Sequence, residues 1–334
     1  MKILFYDVKK TELDTLLEKI PSNIEPYFFK NSLNKTTYID EKYLNSQAIS
    51  VFVSSDLSKE VLTKFKELKF IFLRSVGYSH VDLDYCKAVG IKVFNTPNYG
   101  NSTVAEYTFS LLLSLSKKII QARNSILKGE IEQDKLCGVE LYSKILGVIG
   151  VGAIGRKVIN IAHGFGMEVL AYDVEQNGAY NFVELDELLK KSDFISINCP
   201  LNESTKGLID RVAISKMKKS AIIVNTARGE IIDTEALYYA LINKKIKGAV
   251  LDVIECKEYL CHNWKKCREN SFLRDACVKK FFFIQKMLQL PNVIITPHNA
   301  YNTKEAMDRI LDITLLNIQS SFNLTYGTKN LVLI

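Results

Sequence analysis

One apolar run that breaks into glycines constrains this chain more than any other stretch. From Ile145 to Asp173 it reads ILGVIGVGAIGRKVINIAHGFGMEVLAYD. The pattern predicts a strand, a glycine turn, a helix and a second strand over Glu168–Tyr172. Gly150 allows the tight turn, Gly152 lets the backbone approach a pyrophosphate, and Gly155 lets the helix pack close to its strand. The helix start then presents free N–H groups to the phosphates. Asp173 follows the glycines by about twenty residues, where an acid accepts hydrogen bonds from an adenosine ribose. Its charge repels a 2′-phosphate, so the expected cofactor is NAD rather than NADP.

A chain of 334 residues, 47% hydrophobic and 24% charged, is long enough for two domains with substantial cores. The net charge of +7 comes from lysines scattered in ones and twos, a solvated surface rather than a nucleic-acid footprint. The opening MKILFYDVKK is too quickly charged for a signal peptide, and no apolar run is long enough to cross a bilayer. Seven cysteines without framework spacing fit reduced thiols. A cytoplasmic protein is the expectation.

Before the glycine turn, short apolar runs at Ile3–Tyr6, Ala48–Val53, Phe70–Ser75 and Lys92–Asn95 alternate with helical stretches, which implies a parallel sheet covered by helices. Ligands bind at the carboxyl ends of such strands. That points to Ser54–Ser55, to Val76–Gly77–Tyr78 and to Pro97–Asn98–Tyr99, with Gly77 offering backbone N–H groups to an anion. Thr103 and Glu106 form a capping box for a helix from Val104 to about Ile120 with apolar residues on more than one face. Such a helix must be covered twice, either in the core of one subunit or by a second subunit in a homodimer, and it marks the hinge between domains.

Past Asp173 the same alternation continues. Helix Leu185–Lys190, strand Phe194–Asn198 ending at Cys199–Pro200, helix Ile214–Met217 and strand Ala221–Asn225 follow in turn. Thr226–Ala227–Arg228–Gly229 comes next, then Asp233 capping a helix Thr234–Asn243, and the strand Gly248–Val253. Arg228 thus stands where a buried strand opens into a crevice, and a guanidinium there holds a carboxylate in a bidentate pair. The run PNVIITPH is a short strand ending at His298, an imidazole suited to donate a proton in a carbonyl reduction. A helix Thr303–Ser321 returns the chain. Cys256, Cys261, Cys267 and Cys277 with His262 cluster before a helix Phe281–Leu290, but uneven intervals argue against zinc, and no metal is expected.

These segments resemble the D-isomer-specific 2-hydroxyacid dehydrogenase family, most closely its D-lactate dehydrogenase branch, including the type found with vancomycin resistance. The likeness runs through Arg74–Gly77, Asn95–Glu106, GVIGVGAIG, NTARGEIID, Leu251–Val253 and PNVIITPHNAY. It implies an α/β fold of two doubly wound parallel-sheet domains. A Rossmann NAD-binding domain over 101–299 is inserted into a flavodoxin-like substrate domain made of 1–100 and 300–334. By the same resemblance, NAD contacts fall on Ala153, Ile154, Asp173, Cys199, Pro200, Thr205, Thr226, Ala227 and Asp252, beside Gly150, Gly152 and Gly155. Arg228 matches the carboxylate anchor and His298 the acid/base. Val76, Gly77, Tyr99 and Tyr301 fall where the family surrounds its substrate, a small 2-oxoacid reduced to the D-2-hydroxy acid. One essential position departs from the pattern: the family's catalytic glutamate is Lys257 here, with Glu255 and Glu258 beside it. Either glutamate stands in for it, or the chain is an NAD-binding sensor or scaffold with altered chemistry.

Overall fold

The computed structural model describes residues 1–176, 178–256, 275–322 and 330–332. It divides into two compact units, Met1–Gly100 with Thr303–Ile334, and Asn101–Asn302. The second crossing falls at Asn302 rather than at residue 300, because the N–H groups of Asn299 and Ala300 are tied to Asp252 of the second unit.

In the first unit β1 (Lys2–Phe5), β2 (Glu25–Phe28), β3 (Ala48–Val51), β4 (Phe70–Leu73) and β5 (Lys92–Phe94) form one parallel sheet in the order β2-β1-β3-β4-β5. Period-2 alternation sends successive residues into two cores. Leu4, Ile49, Ile71 and Val93 face one, while Ile3, Phe5, Phe72 and Phe94 face the other with Leu311, Leu315 and Ile318 of the C-terminal helix Lys304–Phe322. Helix α1 (Lys10–Lys19) begins with the Glu12 carboxylate accepting the Lys9 N–H, and α2 (Lys59–Leu62) and α3 (Leu83–Val89) complete the strand connections. β2 has no counterpart among the expected strands. It is an edge strand of sequence EPYF, a position where a ladder tolerates a proline.

The second unit carries β6 (Ile145–Ile149), β7 (Glu168–Tyr172), β8 (Phe194–Ile197), β9 (Ile222–Asn225), β10 (Gly248–Leu251) and β11 (Val293–Ile295). All pair in parallel in the order β11-β10-β9-β8-β6-β7. The chain leaves β6 outward to β7 and then returns to the other side at β8, so the switch point lies between β6 and β8, where doubly wound sheets bind ligands. Its helices are α4 (Asn101–Ser116), α5 (Ile119–Lys128), α6 (Ala153–Gly164), α7 (Leu185–Lys191), α8 (Arg211–Lys216), α9 (Thr234–Ile242) and α10 (Asp275–Met287).

The helix after residue 100 differs from expectation at both ends. It starts at Asn101, so Thr103 lies within it and donates its hydroxyl to the Ala300 carbonyl at 3.2 Å instead of capping. It stops at Ser116 because Lys118 adopts a left-handed conformation (φ 55°), from which α5 sets out separately. Its apolar surface is covered inside the unit: Ala105, Phe109, Leu112 and Leu115 share a core with Val148, Val158, Ile159, Val224 and Val250. The cysteines also differ. Cys86, Cys137 and Cys199 are free, whereas Cys256 and Cys277 form a disulfide, because the fold brings their Cα atoms to 5.7 Å despite their separation along the chain. Cys261, His262 and Cys267 lie outside the described residues. Among the described residues no helix is long and apolar enough to cross a membrane, and no cluster of His, Cys, Asp or Glu is arranged to hold a metal ion.

Candidate active site

The glycine turn performs three separate steric tasks. Gly150 has φ +91°, and a Cβ there would lie 2.5 Å from the Cys199 nitrogen, so the turn lies flush against the end of β8. A Cβ on Gly155 would sit 2.0 Å from the Gly150 carbonyl oxygen, which is the close approach of α6 to its strand. Around Gly152 the space is open, and this residue is the N-cap of α6. The N–H groups of Ala153 and Ile154, in the first turn of α6 beside this open space, have no intrahelical acceptor. Asp173, at the end of β7, accepts the Val151 N–H at 2.6 Å on Oδ2 and the Glu175 N–H at 3.1 Å on Oδ1. Each carboxylate oxygen keeps a further lone pair for a ribose hydroxyl. An open glycine surface, a helix start and an acid fixed to the same turn fit the diphosphate and ribose of NAD.

The next strand end continues this rim. Cys199 is buried, and burial pushes its thiol up to about 11, with the nearby Asp173 charge adding to the rise. It is therefore an apolar wall. Thr205 donates its hydroxyl to the Pro200 carbonyl at 2.6 Å and holds the loop after β8 closed on itself.

Arg228 and His298 leave the same edge of the sheet. β9, β10 and β11 are parallel neighbours in that sequence, so their outer members stand about 10 Å apart. The turn after β9 is organised by Asn225, which is fully buried: its Oδ1 accepts the Ala227 N–H at 3.0 Å and its Nδ2 donates to the Arg228 carbonyl at 2.8 Å. Thr226 meets the Thr108 hydroxyl of α4 at 3.0 Å. With the backbone held at both ends, the Arg228 side chain is exposed, and Nη1 donates to the Ala227 carbonyl at 2.7 Å. The turn after β11 is organised by Asp252, which is 1% exposed. Its carboxylate accepts the Thr296 hydroxyl at 2.5 Å and the N–H groups of Asn299 and Ala300, each at 2.8 Å. Its carbonyl accepts the His298 N–H at 2.8 Å, which holds His298 in a left-handed conformation (φ 54°). The Tyr301 ring stands edge-on to the imidazole, with centroids 6.1 Å apart.

Of the two acids expected to stand in for the missing glutamate, Glu255 lies among the described residues. Lys257 and Glu258 lie outside the described residues. Glu255 is buried, with Oε2 accepting the Thr234 hydroxyl at 2.6 Å and Oε1 paired with Lys280 Nζ. Both of its oxygens are engaged, one by Thr234 and the other by Lys280.

In the first unit, the strand-end loops differ in what they leave available. Ser54 and Ser55 donate their hydroxyls to Asp7 at 2.7 and 2.6 Å, so these loop hydroxyls serve the fold. At Val76–Gly77 the carbonyls are the tied groups: Asn95 Nδ2 donates to the Val76 oxygen at 3.0 Å and Ser75 Oγ to the Gly77 oxygen at 2.7 Å. A trans peptide whose carbonyl is held on one side directs its N–H to the other, so the Gly77 N–H is aimed away from Asn95. Beneath them Arg74 is buried, donating Nη2 to the carbonyl of Asp7 at 3.0 Å, and desolvation lowers its pKa. The Tyr99 carbonyl accepts Arg309 Nε at 2.8 Å.

Sequence reasoning passed over the residues that hold these groups: Asn225, Asn95 and Ser75, and Arg156, which donates Nε to the Val151 carbonyl at 3.1 Å. Two of them carried a signal. An asparagine at a strand end preceding a turn is a backbone-mimicking residue, and an arginine in the first turn of a helix opposes the helix dipole unless an anion is expected there.

Residues 109–300 match the family model described as D-isomer specific 2-hydroxyacid dehydrogenase, NAD binding domain. An aromatic 2-oxoacid reductase of Clostridium sporogenes is 35% identical over 99% of this chain and 98% of its own length. A D-specific alpha-keto acid dehydrogenase of Enterococcus faecium is 36% identical over 81% of this chain and 82% of its own. The crystal structure of a D-lactate dehydrogenase from Aquifex aeolicus, complexed with NAD and lactic acid, superposes with a TM-score of 0.85 at 35% identity, covering 99% of this chain and 98% of that one. A family match over more than half of the chain, a relative aligned along nearly all of it, and a glycine turn shaped for a dinucleotide agree: the chain belongs to the D-isomer specific 2-hydroxyacid dehydrogenases, a family of NAD-dependent oxidoreductases.

Proposed function

We propose that the chain reduces a small 2-oxoacid to the D-2-hydroxy acid, with Arg228 as the carboxylate anchor and His298 as the proton donor. The observation that carries this reading is the edge of β9, β10 and β11, where Arg228 and His298 stand on separately braced turns, one after each outer strand of the three. The hydride for C2 of the 2-oxoacid comes from NADH when it is bound. The Arg228 guanidinium pairs with the carboxylate through two parallel hydrogen bonds and draws density from the adjacent carbonyl. Protonated His298 gives its proton to the carbonyl oxygen as C2 is reduced. In the first unit the N–H groups of Val76 and Gly77 and the Tyr99 side chain are proposed substrate contacts, as is Tyr301 in the second.

For the dinucleotide we assign Gly150, Gly152, Ala153, Ile154, Gly155 and Asp173 to the diphosphate and ribose. Cys199, Pro200, Thr205, Thr226, Ala227 and Asp252 line the remaining strand ends. The unit Asn101–Asn302 is accordingly the cofactor domain and the other the substrate domain. With Glu255 engaged elsewhere, Glu258 is the candidate to supply the carboxylate that Lys257 lacks. A carboxylate beside the imidazole favours its protonated form, so Glu258→Gln lowers the pH above which the rate declines, while Lys257→Ala matters little.

A homodimer is part of the proposal. α5 and the residues after it expose Ile119, Ile126, Leu127 and Ile131, an apolar strip suited to a second copy, and a solution mass of one chain at micromolar concentration counts against it. A cytoplasmic location is proposed with it, tested by cell fractionation. The test of function is NADH oxidation with a panel of pyruvate, branched aliphatic and aromatic 2-oxoacids, followed by the chirality of the product. NADH binding without turnover of any of them would instead favour the sensor reading.

A further inference from the structure

Glu255 is a buried acid to which the proposed reaction assigns no part. It joins two helices: Thr234 is the first residue of α9, and Lys280 lies on α10, whose Phe283 ring packs on Tyr238 and Tyr239 of α9. A buried carboxylate stays where its donors and its cation are, so its backbone is pinned with it. That backbone supports the Arg228 turn. A Cβ built on Gly229 would lie 2.1 Å from the Ile254 carbonyl carbon and 2.4 Å from the Glu255 nitrogen, so the residue next to Arg228 rests directly on the Ile254–Glu255 peptide. Asn225 fixes the turn from within, and the pinned peptide fixes it from below.

We infer that Glu255, paired with Lys280, is a positioning residue for 2-oxoacid reduction, setting where the Arg228 guanidinium stands. The inference rests on the reading of Arg228 as the carboxylate anchor. The role differs from a proton relay, and the two separate by kinetics. Replacing Glu255 by glutamine keeps a partner for the Thr234 hydroxyl and frees Lys280, whose side chain is already 40% exposed, to turn to solvent. The turn then loses its support while the fold keeps its packing.

The experiment is steady-state reduction of the best 2-oxoacid of the panel by Glu255→Gln, together with NADH affinity by fluorescence titration. The expected result is a 2-oxoacid KM raised about tenfold to a hundredfold, as misplacement of a binding group produces. NADH affinity should stay within about twofold, because Thr108 and Asn225 hold Thr226 and Ala227 independently of Glu255, and the pH profile should not move. Gly229→Ala, which forces the same peptide aside, should show the same signature. Glu255→Gln combined with Lys280→Met should be no worse than Glu255→Gln alone, because the two act as one unit. An unchanged KM, an equal loss of NADH affinity, additive effects in the double variant, or a displaced pH limb each overturns the inference. Arg228→Lys run alongside separates the two levels. A normal KM there removes the anchor and this inference with it, whereas a damaged Arg228→Lys beside a normal Glu255→Gln removes the positioning role alone.

Discussion

Asp252→Asn is the most demanding test of how the His298 turn is built. The carboxylate receives three donors, one hydroxyl and two backbone N–H groups, in a site that is 1% exposed. An asparagine offers one oxygen and one NH2 group in the same volume. Its least damaging orientation keeps the oxygen toward Thr296 and Asn299 and turns the NH2 toward the Ala300 N–H, which is then a donor facing a donor. Leaving that buried N–H without an acceptor costs about 1–3 kcal/mol, and converting two charge-assisted bonds to neutral ones costs about 1 kcal/mol each, or about 3–5 kcal/mol together. For a unit of this size each kcal/mol moves the midpoint by about 2–4 °C, so the cofactor unit should melt about 10 °C lower. The His298 N–H, held by the Asp252 carbonyl, loses its frame, and kcat should fall about a hundredfold. Differential scanning calorimetry and NADH oxidation read the two effects separately. A midpoint within about 2 °C of the parent with unchanged kcat would refute the claim that this carboxylate frames the turn.

Three further outcomes follow from the same geometry. Arg228→Lys should lose most of kcat/KM for the 2-oxoacid, since a point charge does not reproduce a planar bidentate clamp; near-parental kinetics would take Arg228 out of the site. The parent should prefer NADH over NADPH, and Asp173→Asn should narrow that preference because the charge facing a 2′-phosphate is gone; equal efficiency of the parent with both cofactors would contradict the assignment. Burial raises the Cys199 thiol to about 11, so its proton is lost only as pH climbs toward that value. At pH 8 about 0.1% is thiolate, and iodoacetamide should label exposed Cys137 while sparing Cys199; equal labelling of both would contradict its burial.

The divisions of labour in this molecule were unevenly legible. Strand–turn–helix order, both sheets and the dinucleotide turn follow from local patterns, because apolar periodicity and glycine sterics act over a few neighbouring residues. β2 escaped notice because an edge strand containing Pro26 has no alternating signature of its own. Helix propensity extends past Ser116, because propensity does not reveal that Lys118 takes a left-handed conformation.

In the candidate site, residue order alone identifies the chemical groups: Arg228 after one strand, His298 after another, and Asp173 after the strand that follows the glycines. It also exposed Lys257 as a departure. The groups that hold them emerge from the packed fold. The three donors on Asp252 and the pairing of Glu255 with Lys280 join residues far apart in the chain. The Cys256–Cys277 bridge belongs to the same class, since its spacing predicted neither a disulfide nor its partners. The physical reason is that a hydrogen bond or ion pair inside a protein depends on position and burial, and both are properties of the packed chain rather than of residue type.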